Sequence, residues 1–152
     1  MQRAIEIAEN SKNEIPVGCV IVKDKKIISE SANMMIEENS SIMHAEINAI
    51  SQAIKKTNET YLTDCDLYVT KEPCLMCFGA ILNARIKRVY FGAYDVKYGA
   101  MDYLLSVMEL KKANHCVEIY GGIMEAECKN LLEQFFENLK KAPFKRSCHR
   151  SD

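Results

Sequence analysis

Two short segments constrain this chain more than any other feature: His44-Ala45-Glu46 and Pro73-Cys74-Leu75-Met76-Cys77. Together they supply one imidazole and two thiolates, which are ligands that zinc prefers in proteins. A structural zinc site closes with four protein ligands, whereas a catalytic site leaves its fourth position to water. The sequence therefore predicts a fold that brings His44, Cys74 and Cys77 together at one open metal site.

Each segment has a simpler interpretation when it is taken alone. A Cys-x-x-Cys pair can be a redox motif or two thiols of the core, and a single histidine is usually an ordinary surface or core residue. The metal site is favoured because the two segments occur in one chain and complete a set of three ligands. Most of the remaining cysteines, which have no ligand partner by spacing, are interpreted as small core residues. They are Cys19, Cys65, Cys116, Cys128 and Cys148.

The second segment is expected at the start of a helix. Pro73 suits the first helical position, and the pattern predicts a helix that runs through Ala84. Cys74 and Cys77 are three residues apart, so they share one face of the first turn. Unpaired amides and the positive end of the helix dipole favour thiolates at this position and lower their pKa.

Glu46 is interpreted as the residue that moves protons at this site. Zinc with two thiolates and a neutral imidazole carries no net charge, so a carboxylate that takes a proton completes the activation of water. His44 begins a predicted helix, and two residues turn a helix by about 200°, so Glu46 reaches the metal only at a frayed first turn. The alternative is a solvated Glu46 that the helix dipole stabilises.

The rest of the chain predicts a single α/β domain of 152 residues. Strands are predicted over residues 16–22, 27–28, 67–70, 88–93 and 116–120, and helices over 3–12, 44–56, 73–84, 101–110 and 125–141. A turn at Asp24-Lys25-Lys26 joins the first two strands in a hairpin, and residues 29–43 are expected to be irregular. Because each later strand is followed by a helix, we expect a layered domain that is entered through an antiparallel hairpin.

Composition narrows the class of protein and its compartment. The 20 Lys and Arg residues balance 21 Asp and Glu, for a net charge of −1, so nucleic-acid binding requires a local basic patch. The chain has no apolar run long enough to span a membrane and no signal-peptide core at its N-terminus. An odd number of cysteines fits a reducing compartment better than a disulfide scaffold. We therefore expect a protein of a reducing compartment without a membrane segment.

The pattern H-x-E followed by P-C-x-x-C resembles the zinc-dependent cytidine and adenosine deaminase superfamily. Further blocks, within residues 3–141, are similar to the bacterial tRNA-specific adenosine deaminase family. They include Pro16-Val17-Gly18, Leu67-Tyr68-Val69-Thr70, Ala84-Arg85-Ile86, Phe91-Gly92-Ala93 and Gly121-Gly122-Ile123. The resemblance implies a three-layer α/β/α, cytidine-deaminase-like fold whose central mixed five-stranded sheet is flanked by helices. It also implies one Zn²⁺ per subunit and a cytoplasmic homodimer. The length of the chain predicts that residues 1–152 form a single domain.

The same resemblance implies a specific reaction and substrate. The reaction is the zinc-dependent hydrolytic deamination of adenosine to inosine at wobble position 34 of a tRNA, usually an arginine tRNA in bacteria. Glu46 would protonate the ring nitrogen and then the departing amine, and ammonia would leave. The target base would be flipped out of the anticodon stem-loop, because the metal cannot reach a stacked base.

Four substrate-binding residues follow from their positions in the family: Asn33, Ala45, Asp95 and Phe136. Asn33 would hold the target nucleoside, Ala45 would offer its backbone to the base, and Asp95 would contact neighbouring nucleotides. The alternatives are an ordinary turn residue at Asn33, and an Asp95 that ends a strand or caps a helix. Consecutive Phe135 and Phe136 cannot share a helix face, so one is expected in the core and the other along an RNA groove.

Two basic clusters are candidates for phosphate contacts. The C-terminal tail, over residues 140–152, contains Lys140, Lys141, Lys145, Arg146 and Arg150, and a second cluster contains Arg85, Lys87 and Arg88. Binding through such clusters weakens as the salt concentration rises. The alternative for the tail is a solvated, frayed terminus.

Two loops depart from the family pattern, and both concern the fit of the substrate. Ser41-Ile42-Met43 stands where the family has Pro-Thr-Ala, and Met101-Asp102 stands where it has Gly-Ser. Two other functions therefore stay open. One is a deaminase of a free base or nucleoside, such as guanine or cytosine. The other is a zinc-stabilised RNA-binding or assembly subunit, although relatives of that kind typically lack the glutamate that is present here as Glu46.

Overall fold

The structure, a computed structural model, describes residues 1–11, 13–101 and 115–141. Its helices and strands follow in chain order: α1 Gln2–Glu9, β1 Gly18–Lys23, β2 Lys26–Ala32, α2 Ala45–Thr57, β3 Cys65–Lys71, α3 Leu75–Asn83, β4 Arg88–Ala93, β5 Glu118–Tyr120 and α4 Glu125–Lys141. The predicted helix over 101–110 falls outside the described residues, apart from Met101. Every other predicted strand and helix has a counterpart at the expected place in the chain.

The described strands form one mixed sheet of five, in the order β2-β1-β3-β4-β5. β1 is antiparallel to β2 and β3, whereas β3, β4 and β5 run parallel. Asp24 and Lys25, which lie between β1 and β2, have φ angles of 49° and 61°. Positive φ at both positions is the geometry of a tight hairpin turn. The predicted α/β domain with an antiparallel hairpin at its start is confirmed.

Helices cover both faces of the sheet and give three layers. On one face, α2 and α3 pack over a core of side chains that alternate along the strands. The sheet contributes to this core the fully buried residues Cys19, Ile21, Leu67, Val69, Val89 and Phe91. On the opposite face, α1 and α4 meet over β4, where Ile5 and Cys128 pack against Ala93.

α1 and α4 lie so close to the sheet that only glycine fits beneath each of them. A Cβ on Gly18 would overlap the carbonyl oxygen of Ala4 in α1. A Cβ on Gly92 would overlap the Sγ of Cys128 in α4 and would lie 2.6 Å from the carbonyl oxygen of Thr70. The two helices therefore rest on the backbone of β1 and β4.

Several element boundaries differ from the predictions. α1 ends at Glu9 instead of residue 12, and β2 continues to Ala32 through residues that were expected to be irregular. Within β2, Ser29 and Ser31 are buried, and Ser29 Oγ donates a hydrogen bond of 2.8 Å to the carbonyl oxygen of Ala49. The prediction for this segment was wrong because a hydroxyl group that has a partner can be buried in place of an apolar side chain.

The cysteines outside the metal motif occupy two environments. Cys19, Cys65 and Cys128 are buried, as expected of core residues, whereas Cys116 is exposed. Cys148 lies outside the described residues. None of the helices in the described ranges is both long enough and apolar enough to cross a membrane.

Candidate metal centre and active site

The candidate site lies where α2 and α3 begin. His44 is the N-cap residue of α2 and Cys74 is the N-cap residue of α3, and both have an extended backbone. A residue at this position lies beside the unpaired amides of the first helical turn. The beginnings of the two helices therefore bring His44 and Cys74 next to each other.

Helix α3 begins two residues later than predicted, at Leu75 instead of Pro73. Cys74 pairs with Gly99 in an antiparallel bridge, and the carbonyl oxygen of Pro73 accepts a hydrogen bond from the amide of Ala100. These contacts with the loop after β4 hold residues 73 and 74 in an extended conformation. The helix starts only after them, and Cys77 falls in its first turn.

The three predicted metal ligands come together at this point. His44 Nδ1 lies 3.4 Å from Cys77 Sγ and 3.7 Å from Cys74 Sγ, and the three donor atoms lie within 4.8 Å of one another. Within the described ranges, they form the only group of three or more histidine, cysteine and acidic side chains that could hold one metal ion. The cluster can therefore bind a metal.

The two thiols of the cluster shift each other's pKa in opposite directions, because their sulfur atoms share one small site. Hydrogen bonding by the Cys77 thiol and by His44 lowers the pKa of Cys74 to about 3. The neighbouring Cys74 and burial raise the pKa of Cys77 far above its usual range. The hydrogen bond to Cys74 also raises the pKa of His44. Two thiolates at this separation repel each other unless a cation lies between them, and sulfur and imidazole donors fit zinc.

Glu46 lies in the first turn of α2 and is only 4% exposed. Burial raises the pKa of its carboxyl group. Within a helix, the side chains of His44 and Glu46 would point in nearly opposite directions. This does not happen here, because His44 is an extended N-cap residue that precedes the helix. Glu46 instead lines the same cavity as His44 and Cys74. A buried carboxyl group beside a metal-binding cluster is suited to proton transfer.

The cluster borders a cavity of about 410 Å³, which we call the inner cavity. Its lining residues are Ile15, Val17, Asn33, Met35, His44, Glu46, Lys71, Glu72, Cys74 and Tyr98. A cavity of this size that combines apolar walls with a few polar groups is typical of sites for small organic ligands.

Asn33 lines the inner cavity, whereas Ala45 does not. Asn33 Oδ1 accepts a hydrogen bond of 3.0 Å from the amide of Ala45, and Asn33 Nδ2 donates one of 3.1 Å to the carbonyl oxygen of Ile15. Ala45 has no exposed surface. The amide of Ala45 therefore orients Asn33, and the predicted substrate contacts of both residues stay predictions.

A second cavity, which we call the outer groove, adjoins the inner cavity. It has a volume of about 770 Å³ and is lined by Ile15, Lys71, Asp95, Lys97, Tyr98, Phe136, Leu139 and Lys140. Phe136 is 46% exposed, whereas Phe135 is half-buried. The two rings therefore differ in exposure, and it is Phe136 that lines the groove.

Asp95 combines a structural position with a place in the outer groove. Its carboxylate pairs with Lys71 and accepts hydrogen bonds from the amides of Lys97 and Tyr98, at 3.0 and 3.2 Å. Burial alone would raise the pKa of Asp95, but these partners outweigh burial and lower the pKa. Asp95 follows β4 and stabilises a turn, as its alternative interpretation predicted, and its contact with nucleotides stays a prediction.

Sequence reasoning missed the organising position of Glu72. This residue is 7% exposed, and its two carboxylate oxygens accept hydrogen bonds of 3.0 Å from the amides of Asp95 and Met101. Gly99 packs on the same carboxylate and leaves no room for a Cβ. Glu72 thus ties both ends of the loop over 95–101 to the segment that carries Cys74. Its place directly before Pro73 was the only available signal.

The two basic clusters differ in how they are engaged. In the second cluster, the Arg85 guanidinium lies 4.0 Å from the ring centre of Tyr61, and Arg88 forms hydrogen bonds of 2.6 and 2.9 Å with Asp66. In the tail, Lys140 lines the outer groove, and residues 142–152 lie outside the described part of the chain. Among the described residues of the two clusters, Lys140 is therefore the one that lies at the outer groove.

Comparisons with known proteins agree with this geometry. The family model described as MafB19-like deaminase matches residues 1–140. A tRNA-specific adenosine deaminase of Streptococcus pyogenes serotype M1 is 45% identical over 138 residues, which cover 90% of this chain and 81% of that protein.

Two solved structures extend the comparison. The structure of a tRNA:A34 deaminase, studied for A-to-I editing at the wobble position, has a TM-score of 0.82 and 37% identity, with 87% of this chain and 97% of that chain covered. A guanine deaminase from Bacillus subtilis has a TM-score of 0.58 and 31% identity, with 95% and 94% covered. The five-stranded sheet and its helices have the cytidine deaminase-like fold, and the chain belongs to the tRNA-specific adenosine deaminase family.

Proposed function

We propose that this protein catalyses the hydrolytic deamination of adenosine to inosine at wobble position 34 of a tRNA, with an arginine tRNA as the expected substrate. The observation that carries this proposal is the position of Glu46 in one cavity with His44 and Cys74, two of the three residues of the metal-binding cluster. An enclosed carboxyl group beside a metal-binding cluster supports hydrolysis, and the likeness to tRNA-specific adenosine deaminases supports the substrate.

The proposed metal is one Zn²⁺ per chain, held by His44, Cys74 and Cys77. When bound, zinc supplies an activated water as the nucleophile for C6 of adenine. Three protein ligands leave a position open for that water, and the low pKa of Cys74 favours a ligating thiolate. The structure contains no donor set of this kind elsewhere among its described residues.

Glu46 is the proposed proton carrier. Its carboxylate accepts a proton from the attacking water and delivers it to the ring nitrogen of adenine, then takes the second proton of that oxygen and delivers it to the exocyclic amine. The C6–N bond breaks, ammonia departs, and a carbonyl group remains at C6. Because Glu46 is almost fully enclosed, bulk water does not compete for these protons.

The proposed substrate enters as a flipped-out nucleotide. The inner cavity has room for a base, and a base stacked inside a helix could not reach its end. Asn33, oriented by the amide of Ala45, contacts the target nucleoside. Asp95 and Phe136 in the outer groove contact neighbouring nucleotides, and the basic tail contacts phosphates of the anticodon stem.

The test uses a synthetic anticodon stem-loop of an arginine tRNA with adenosine at position 34. Free adenosine, guanine and cytidine are assayed in parallel, with Glu46→Gln as the inactive variant and the exposed Glu118→Gln as its matched control. We expect inosine in the stem-loop only, from wild type and Glu118→Gln. Absence of inosine in the stem-loop, with wild-type protein that carries zinc, contradicts the proposal.

A second candidate is deamination of a free base, and the similarity to a guanine deaminase favours it. Turnover of free guanine in the same assay, without inosine in the stem-loop, would establish this candidate instead. A non-catalytic RNA-binding subunit is disfavoured because Glu46 is present and lines the cavity. This alternative would be favoured only if Glu46→Gln left every function of the protein intact.

We further propose a homodimer in which residues 1–152 act as one domain, in the cytoplasm, where thiols stay reduced. Support for self-association comes from α3, whose nine residues include no charged side chain. Its Leu75 and Met76 are 56% and 37% exposed, and exposed apolar patches commonly mark interfaces.

Light scattering tests the proposed dimer. At micromolar concentration it should give twice the chain mass of 17.3 kDa, and Leu75→Glu should give a monomer. A monomeric wild type contradicts the dimer.

A further inference from the structure

The inner cavity and the outer groove meet at three residues: Ile15, Lys71 and Tyr98. We call this place the junction. His44, Cys74 and Glu46 line the inner cavity, whereas Phe136 lines the outer groove. A ligand that occupies both spaces must pass the junction.

Lys71 is the only charged residue at the junction. It is the last residue of β3, and its side chain is 26% exposed. In the inner cavity its charged neighbours include Glu46 and Glu72, both nearly buried. Two acidic groups in the wall disfavour an approaching phosphate, so a cation at the entrance provides the compensating charge.

Asp95, which pairs with Lys71, has other hydrogen-bond partners as well. The Asp95 carboxylate pairs with Lys71, but it also accepts hydrogen bonds from the amides of Lys97 and Tyr98. If the Lys71 ammonium turned toward another anion, Asp95 would keep these two partners. The ammonium carries three donors, so it can also bind a new anion while it stays close to Asp95.

A strand of RNA places its backbone at the junction if its target base lies in the inner cavity and the adjacent nucleotide lies in the outer groove. Each pair of neighbouring nucleotides is joined by one phosphodiester, which then lies between the two spaces. Ile15 and Tyr98 offer no positive charge to this group. Lys71 is therefore the residue whose position and charge suit it to bind this phosphate.

We propose that Lys71 binds the phosphodiester that joins the target nucleotide to its neighbour in the outer groove, and that this contact favours a polynucleotide over a free base or nucleoside. The inference rests on the proposed RNA substrate and adds a specificity-determining residue to it. Lys71 acts on substrate binding, whereas the chemistry at C6 stays with Glu46.

The first test compares Lys71→Met with Lys55→Met, which removes an exposed charge from the last turn of α2. For the stem-loop, we expect Lys71→Met to raise KM about tenfold or more, since a hydrogen bond to a charged group contributes about 1.5–3 kcal/mol. The kcat and the zinc content should stay within about twofold of wild type. Lys71→Arg should restore most of the affinity, and Lys55→Met should match wild type.

The decisive test is a double-mutant cycle with the substrate. A neutral methylphosphonate replaces the linkage on the 5′ side or the 3′ side of the target adenosine, one at a time. At one of these linkages, we expect the replacement to lower the affinity of wild type and of Lys55→Met for the stem-loop. The affinity of Lys71→Met should change little, because this variant already lacks the contact. Additive losses at both linkages would overturn the inference.

The outcomes separate this inference from the proposed function. If wild type forms inosine in the stem-loop while Lys71→Met retains the wild-type KM, the function stands and the contact is wrong. If wild type forms no inosine in the stem-loop, the proposed substrate itself fails. Should Lys71→Met fold poorly in a thermal melt, Lys71→Gln enters the same cycle with the same expected coupling.

Discussion

The two faces of the sheet are built differently. On the face of α2 and α3, side chains separate the helices from the strands, and the beginnings of both helices border the inner cavity. On the face of α1 and α4, the helices rest on the backbone at Gly18 and Gly92, with no room for a Cβ. The candidate chemistry therefore lies on the face where side chains fill the space.

This difference predicts two separate kinds of damage. On the face of α2 and α3, replacement of one polar atom can remove activity while the fold persists. On the face of α1 and α4, the addition of one methyl group should weaken the fold without touching the metal-binding cluster or Glu46. Variants that fail to separate in this way would show that the two faces are coupled.

Glu46→Gln is expected to have the largest effect. Because an amide cannot exchange the proton, single-turnover deamination should fall by a factor of about 10² to 10⁴. The melting temperature should stay equal or rise, since a buried carboxyl group becomes neutral. A Glu46→Gln variant that kept the wild-type rate would remove Glu46 from the mechanism.

Loss of the metal should reduce both activity and stability. Cys77→Ser replaces a thiolate of the cluster with a hydroxyl group, so elemental analysis should show less than one zinc per chain. A metal present at 100 times its Kd stabilises a fold by about 2.7 kcal/mol, so the melting temperature should drop by about 5 °C or more. A chelator should shift wild type in the same direction.

The control for the metal experiment is Cys116→Ser, which changes an exposed cysteine outside the cluster. It should retain zinc, activity and melting temperature. If Cys77→Ser kept a full zinc complement, the proposed ligand set would be wrong.

Gly92→Ala tests the opposite face. The added Cβ would overlap Cys128 Sγ, and overpacking of this kind costs about 1–3 kcal/mol of unfolding free energy, which urea titration measures. Adding Cys128→Ala should recover part of the loss, with Cys128→Ala alone as the reference. The kcat of the folded Gly92→Ala protein should match wild type, and an unchanged urea midpoint would disprove the close contact.

Ser29→Ala is expected to have the smallest effect, although it places an alanine in the sheet just as Gly92→Ala does. It removes the hydrogen bond from Ser29 to the carbonyl oxygen of Ala49, and this carbonyl lies inside α2, where it keeps its helical partner. The loss should be about 0.5–1 kcal/mol by urea titration. A loss as large as that of Gly92→Ala would erase the proposed difference between the faces.

The ligand cluster and the order of elements could be predicted because their signals are local. His44, Cys74 and Cys77 are recognisable by residue type and spacing, and the strands by short apolar runs. The boundaries were harder, since Cys74 stays extended through its bridge to Gly99, 25 positions further along the chain. A local pattern contains no information about such a partner.

The positions of Glu72 and Lys71 depend even more on distant contacts. Glu72 accepts hydrogen bonds from the backbone of residues 95 and 101, and Lys71 pairs with Asp95. These contacts exist only once β3 and β4 lie side by side and the loop after β4 folds back. Buried charged residues of this kind therefore become visible as parts of a site only in the folded chain.

The anchored loop over 95–101 has a consequence for protein engineering. Glu72 holds both of its ends, and a side chain at Gly99 would displace the Glu72 carboxylate, yet Lys97 and Tyr98 are exposed. A mutant library confined to positions 97 and 98 would vary one wall of the outer groove while its supports stay unchanged. In a library that included position 99, most clones would encode proteins with a displaced loop. Changes to this wall of the groove are therefore most accessible through two consecutive codons.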